Sequence, residues 1–145
     1  MVADWFRILL NISFGKDVAY NDENPELGKE FNFRATLSLQ LNNNFSVSNL
    51  ISFSRLKEIS RNEYYYRGYI NRFNTKYQFS KSLGIRLAAE YNDFSESIFL
   101  QPLFEWTPNP FTIFYIGGNQ NLIKEKEYYV DRSQFFVKFQ YLISL

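Results

Sequence analysis

The chain has neither cysteine nor histidine among its 145 residues. Disulfide bonds, thiolate nucleophiles, imidazole bases and metal sites built from these side chains are therefore excluded within this sequence. The 15 acidic and 16 basic residues nearly balance, which gives no support for the basic surface of a nucleic-acid-binding protein. We accordingly expect no catalytic residue, no cofactor, no metal and no nucleic-acid partner.

Long apolar runs are missing too. No stretch of about 18 apolar residues occurs, so the sequence predicts no membrane-spanning helix. The start of the chain leads almost directly into a strand rather than a signal peptide, so we expect a mature form or a fragment of a longer protein. Aromatic residues, by contrast, make up 20% of a chain that is hydrophilic on average. This combination is typical of a barrel whose strands alternate lipid-facing and lumen-facing residues.

The clearest periodicity lies in residues 133–145. Apolar residues occupy every second position from Val137, namely Val137, Phe139, Tyr141, Ile143 and Leu145. Polar residues lie between and before them, namely Gln134, Lys138, Gln140 and Ser144. A period of two predicts a strand with one apolar and one polar face. A transmembrane β-barrel ends on such a strand because its closing strand faces lipid, and we expect the barrel-assembly machinery to engage it.

Seven further segments predict strands, at 5–14, 31–41, 45–54, 65–79, 85–92, 98–106 and 111–116. Short turns are predicted at 42–44, 81–84 and 107–110, and longer polar connections at 16–30, 55–63, 93–97 and 117–132, the last beginning at Gly117-Gly118. Alternating short and long connections are the layout of outer-membrane barrels. We therefore predict one domain, 1–145, with the fold of an all-β, antiparallel, up-and-down transmembrane β-barrel of about eight strands. The barrel closes alone or as part of a larger one.

Charged residues on the polar face of these strands form a candidate lumen cluster: Arg34, Arg72, Lys76, Arg86, Glu90, Glu105 and Lys138. Two interpretations stand, an anion-selecting lumen and a packed interior of ion pairs. The second is favoured for eight strands, which leave room only for side chains whose buried charges need partners. Glu90 and Glu105 could act as a paired acid and base, but their cationic neighbours favour ion pairing.

Two groups of loop residues have alternative interpretations. The acidic residues Asp17, Asp22, Glu23 and Glu26 could collect calcium, but their spacing does not match a calcium loop, and a solvated loop is favoured. Aromatic residues near the strand ends are predicted to form girdles at the lipid–water boundary rather than to stack on a sugar. The girdle residues are Tyr64, Tyr65, Tyr66, Tyr69, Tyr128 and Tyr129 at one end, and Trp5, Trp106 and Phe111 at the other.

Three stretches, residues 70–92, 106–118 and 131–142, resemble the C-terminal barrel region of bacterial outer-membrane proteins that carry an N-terminal carbohydrate-binding-like sandwich of the family-nine type. The resemblance implies an outer-membrane location but no known reaction. The sandwich is absent from this chain, so carbohydrate binding is not carried over. The barrel of that family has more than eight strands, so this chain is a barrel of its own or the terminal part of a bigger one.

Together these features predict a non-enzymatic integral protein of the bacterial outer membrane. We expect a structural, anchoring or partner-presenting role, with the lipid bilayer and, in one arrangement, another barrel chain as partners. The alternative function is a porin-like part of a larger pore that carries small solutes or anions. Backbone groups at the first and last strands must be paired in lipid, and closure of the chain on itself or with a partner would both achieve this.

Overall fold

The computed structural model describes residues 5–20, 25–59 and 63–142, and every regular element among them is a β-strand. The strands are β1 (Phe6–Tyr20), β2 (Pro25–Asn42), β3 (Phe45–Glu58), β4 (Tyr64–Ser80), β5 (Leu83–Asn92), β6 (Ser97–Asn109), β7 (Thr112–Lys124) and β8 (Tyr128–Tyr141). Each pairs antiparallel with the next, in a single sheet ordered from β1 to β8. The prediction of an all-β, up-and-down chain of eight strands is confirmed.

This sheet is open across the residues that the structure describes. β1 and β8 are its two edges, and no backbone pairing joins them. Every residue of β8 is exposed, as is β1 from Phe6 to Asp17. The fold is therefore an eight-stranded antiparallel sheet with two free edges.

The register keeps the two faces of the sheet in phase from strand to strand. Ile8 pairs with Leu37, and Asn11 pairs with Arg34, which in turn pairs with Ser52. Because paired residues lie on the same side of a sheet, one side carries the apolar residues and the other carries the polar ones. We name the side of Ile8 the apolar face and the side of Arg34 the polar face.

Neither face covers a conventional core. Among the described residues, the only buried apolar side chains are Ala19 and Leu56. Large apolar side chains are instead exposed, with Phe14 at 80%, Phe135 at 75% and Leu10 at 65%. The apolar face is thus uncovered in the isolated chain.

At one end of the sheet the strands run further than the sequence predicts. β1 reaches Tyr20 and β2 begins at Pro25, while β7 reaches Lys124 and β8 begins at Tyr128, so most of the predicted connections 16–30 and 117–132 are strand. Those two predictions are wrong because hairpin arms are held by backbone pairing, which polar side chains do not prevent. The prediction at 93–97 is close, since β5 ends at Asn92 and β6 begins at Ser97. We call this the loop end.

The opposite end, which we call the turn end, has two-residue connections at 43–44, 81–82 and 110–111. The third lies later than the predicted 107–110 because β6 continues to Asn109. Asn42 and Asn109 each accept a hydrogen bond from the backbone two residues ahead, at 2.8 and 3.0 Å. Such Asx turns explain why asparagine begins both turns.

Gly117 and Gly118 lie inside β7, paired with Phe136 and Phe135, and not at a loop entry as predicted. A Cβ atom on Gly117 would lie 2.8 Å from the Phe136 ring, and one on Gly118 would lie 2.8 Å from the Gln134 carbonyl oxygen. The two glycines therefore permit close strand contact rather than a turn.

Residues 143–145 lie outside the described residues, so the structure gives no position for Ile143, Ser144 and Leu145 of the predicted final strand. Within the described ranges, no helix is long and apolar enough to cross a membrane.

Candidate functional site: the polar face of the sheet

The seven predicted lumen residues all lie on the polar face. Arg72 pairs with Glu90, Lys76 with Arg86, and Lys138 with Tyr115, which in turn pairs with Glu105. Arg34 pairs with Ser52, which in turn pairs with Ile70. Because Ile70 and Arg72 are two residues apart on β4, Arg34 and Arg72 lie on the same face. The alternation of the strands therefore brings residues from five strands onto one surface.

Two ion pairs hold both glutamates of the cluster. Arg72 lies directly opposite Glu90 on the neighbouring strand, and its Nε donates to the Glu90 carboxylate at 2.5 Å. Arg86 binds Glu105 diagonally across the β5–β6 ladder. Each carboxylate therefore binds an arginine, which is the ion-pairing arrangement favoured from the sequence.

The remaining cations are not neutralised in this way. Lys138 lies over the Tyr115 ring, with its ammonium nitrogen 6.0 Å from the ring centre. Within the described part of the chain, neither Arg34 nor Lys76 has a carboxylate at ion-pair distance. The cluster therefore carries an excess of positive charge.

A groove of about 550 Å³ opens on the polar face near the turn end. Its lining includes Lys76 and Arg86 from the predicted cluster, and also Arg7 and Trp5. Arg7 was not predicted as a site residue, although it occupies a polar-face position of β1 between Phe6 and Ile8. The alternation in the first strand could have identified it.

Trp5, a predicted girdle residue, lies at the turn end just before β1. Its carbonyl accepts a hydrogen bond from the backbone of Gln40, the residue is among those that line the polar-face groove, and its ring centre lies 5.6 Å from that of Phe6. Trp106, in contrast, lies on the apolar face and stacks on Phe114, with 5.2 Å between the ring centres. Phe111 lies in the turn between β6 and β7, where its carbonyl accepts from Leu142 at 2.8 Å.

The predicted tyrosines gather at the loop end, on both faces of the sheet. Tyr69 and Tyr91 contact each other on the apolar face, at 5.6 Å between ring centres, and Tyr66 contacts Phe94 at 6.2 Å. The Tyr64 ring lies near two cations, Lys57 at 5.5 Å and Arg67 at 5.8 Å.

The remaining tyrosines of the girdle set lie on or near carboxylates and hairpin ends. The Tyr65 hydroxyl donates to Glu26 at 2.5 Å, and the Tyr129 hydroxyl donates to Glu125 at 3.3 Å. Tyr128 is the first residue of β8, opposite Lys124. The hydroxyl groups of Tyr65 and Tyr129 therefore bind carboxylates at the loop end of the sheet.

Of the acidic residues considered for calcium, Asp22 and Glu23 lie outside the described residues. Asp17 accepts from the Val18 backbone at 2.8 Å, and Glu26 accepts from Tyr65. The described residues contain no group of three or more carboxylates arranged to hold a metal ion.

No protein-family model, no curated protein and no solved structure matches this chain. The resemblance to the outer-membrane barrel region therefore stays a prediction.

Proposed function

We propose that this chain is a non-enzymatic integral β-barrel protein of the bacterial outer membrane with a structural, anchoring or partner-presenting role. The observation that carries the proposal is the exposed apolar face. Leu10, Ile51, Phe73, Phe104 and Phe139 lie on this face on five different strands, and each is at least 37% exposed. A water-soluble protein rarely exposes such a continuous apolar surface, whereas a lipid bilayer covers one.

The stagger of the strands supports closure into a barrel. Starting from Phe6, the register identifies one residue on each following strand that lies at the same level. For the step from β6 to β7, Leu103 pairs with Gly117, so Pro102 is level with Gly118. The row is Phe6, Leu39, Val47, Thr75, Leu87, Pro102, Gly118 and Phe135. Phe6 is the first residue of β1, yet six residues of β8, 136–141, remain between Phe135 and the turn end. The strands are therefore displaced progressively in one direction, as tilted barrel strands are.

This displacement specifies how the edges would meet. Eight strands tilted by about 35–45° need a shear of roughly 8 to 10 residues. A shear of about 8 would set Leu10 of β1 opposite Phe139 of β8, and a shear of about 10 would set it opposite Tyr141. Either register keeps the apolar residues of both edges on the outside and pairs the backbone groups that lipid would leave unsatisfied.

Beyond the apolar band, the hairpin arms of the loop end carry charged and tyrosine side chains. Lys124, Glu125, Lys126 and Glu127 lie together at the β7–β8 connection, and all are exposed. In outer-membrane barrels the longer connections face the exterior. The proposed role of these arms is to present polar and aromatic side chains to a partner outside the membrane.

The proposal is tested by refolding the purified chain into detergent micelles and comparing boiled with unboiled samples on a cold gel, beside a cross-linked sample. Self-closure predicts a heat-dependent shift at the size of one chain, because a closed barrel resists unfolding by detergent at low temperature. A chain that stays soluble as a monomer without detergent would overturn the membrane proposal.

A second candidate, a part of a larger pore, is favoured by one observation: the cationic excess on the polar face. Arg34 and Lys76 have no carboxylate partner among the described residues, and a dry eight-stranded interior would disfavour them. Two chains joined edge to edge would enclose a wider, wet lumen. This candidate predicts a cross-linkable dimer on the same gel and an anion-selective current in planar bilayers; silence over many insertions would refute it.

A further inference from the structure

The groove at the turn end of the polar face has the dimensions of a ligand site. Its volume is about 550 Å³, and it is lined by residues of six neighbouring strands, β1 to β6. Pockets for small molecules range from about 300 to 1,000 Å³. Among the residues that the structure describes, the charged ones that line the groove are all basic, namely Arg7, Lys76 and Arg86.

Only one of these three cations is neutralised by a neighbour. Arg86 forms its ion pair with Glu105, which does not line the groove. Among the residues that the structure describes, Arg7 and Lys76 have no carboxylate at ion-pair distance. The described lining of the groove therefore carries a net positive charge.

The β4–β5 ladder makes this arrangement unusual. Lys76 lies directly opposite Arg86, whereas Arg72, four residues away on the same strand, lies opposite Glu90. Opposite charges stabilise such cross-strand pairs and like charges destabilise them. The ladder thus places a matched pair outside the groove and two cations opposite each other within it. Because Glu105 neutralises Arg86, Lys76 is the cation of this pair that is left for a bound anion.

The uncharged lining suits a hydroxyl-bearing molecule. Side-chain amides and hydroxyls surround the cations, namely Gln40, Asn74, Gln101, Ser38, Ser46 and Ser48. Trp5 is one of the lining residues and is 59% exposed. An exposed indole can cover the apolar side of a ring, while amides and hydroxyls bind its polar substituents.

We propose that this groove binds a sugar-sized organic carboxylate, with Lys76 and Arg7 holding the negative charge and Trp5 covering the body of the molecule. The inference deepens the second candidate function, since it gives the cationic excess a specific ligand. It rests on that candidate, because a self-closed lumen of eight strands leaves room only for side chains whereas a wider lumen admits a ligand.

The test uses the emission of Trp5. The chain has two tryptophans, so Trp106→Phe leaves Trp5 as the only indole reporter. Trp106 lies on the apolar face, away from the groove, so this substitution does not change the lining. The detergent-folded variant is titrated with galacturonate, and with galactose as the uncharged probe of the same shape. We expect saturable quenching or a shift with galacturonate, and binding of galactose at least about ten-fold weaker, because galactose cannot make the charge-assisted bonds.

Lys76→Gln should weaken galacturonate binding by about ten-fold or more, and added salt should weaken it further. The matched control is Lys138→Gln, which removes a polar-face cation that does not line the groove and should leave binding within about two-fold. Equal binding of both sugars, or equal loss in the two variants, would overturn the proposal. The cold gel of the same samples, with its cross-linked lane, reports closure separately, so a failure of ligand binding is distinguished from a failure of the larger-pore candidate.

Discussion

A charge placed in the middle of the apolar face should destabilise the protein far more than the same charge placed beside it on the polar face. The ten steps from Phe31 to Leu41 on β2 cover about 34 Å along the strand, or about 26 Å of height at a tilt of about 40°. This height matches the roughly 25 Å apolar band of outer-membrane barrels. Leu37, four residues from Leu41, then lies about 10 Å above the lower boundary, near the bilayer midplane.

The substitution Leu37→Arg is therefore expected to cost about 2–4 kcal/mol of folding free energy, a roughly 30- to 700-fold change in the folding equilibrium. Thr36→Arg is the matched control, because Thr36 is the next residue but lies on the polar face, level with Leu9 and Leu50. Leu41→Arg at the boundary should cost about 0–1 kcal/mol.

Reversible urea unfolding in lipid vesicles measures all three free energies. The account predicts a large cost for Leu37→Arg and small costs for the two controls. Equal costs at positions 36 and 37, or no dependence on depth between positions 37 and 41, would refute the assignment of the apolar face to lipid.

Two further predictions concern packing and charge. Gly118→Ala should lower the free energy of unfolding by about 1–3 kcal/mol, because its Cβ would lie 2.8 Å from a backbone oxygen. Gly15→Ala, whose Cβ would have no atom within 4 Å, should change the free energy of unfolding by less than about 0.5 kcal/mol. Equal effects of the two variants in urea unfolding would contradict the close contact between β7 and β8. A double-mutant cycle with Arg72→Gln and Glu90→Gln should give a coupling of about 0.2–1 kcal/mol if the lumen stays wet, because the Arg72 side chain is 53% exposed in the open sheet. A coupling above about 3 kcal/mol would instead indicate that closure buries the pair in a dry interior.

The number, order and faces of the strands could be predicted because each depends on a local pattern. The alternation around Leu37 and around Val137 gives a period of two, and the asparagines at 42 and 109 begin turns. The lengths of the hairpin arms could not be predicted in this way, because Lys16 and Asp17 belong to β1 through backbone pairing with β2 and not through an apolar pattern.

The candidate site was predictable in part for the same reason. Arg72 and Glu90 fall on one face by parity alone, but their pairing depends on the register between β4 and β5, which no local pattern gives. The position of Trp5 depends on its pairing level with Gln40. The alternation of β1 is enough to place Arg7 on the polar face, but its place in the groove depends on six strands together.

Closure of the edges is the central claim, and disulfide trapping tests it most directly, since the chain has no cysteine of its own. Leu10→Cys is combined with Phe139→Cys or with Tyr141→Cys, and Asn11→Cys with Phe139→Cys is the control whose side chains lie on opposite faces. The account predicts rapid disulfide formation within one chain for one of the first two pairs, and none for the control. A disulfide that forms only between two chains, or none at any pair, would contradict closure of the eight strands on themselves.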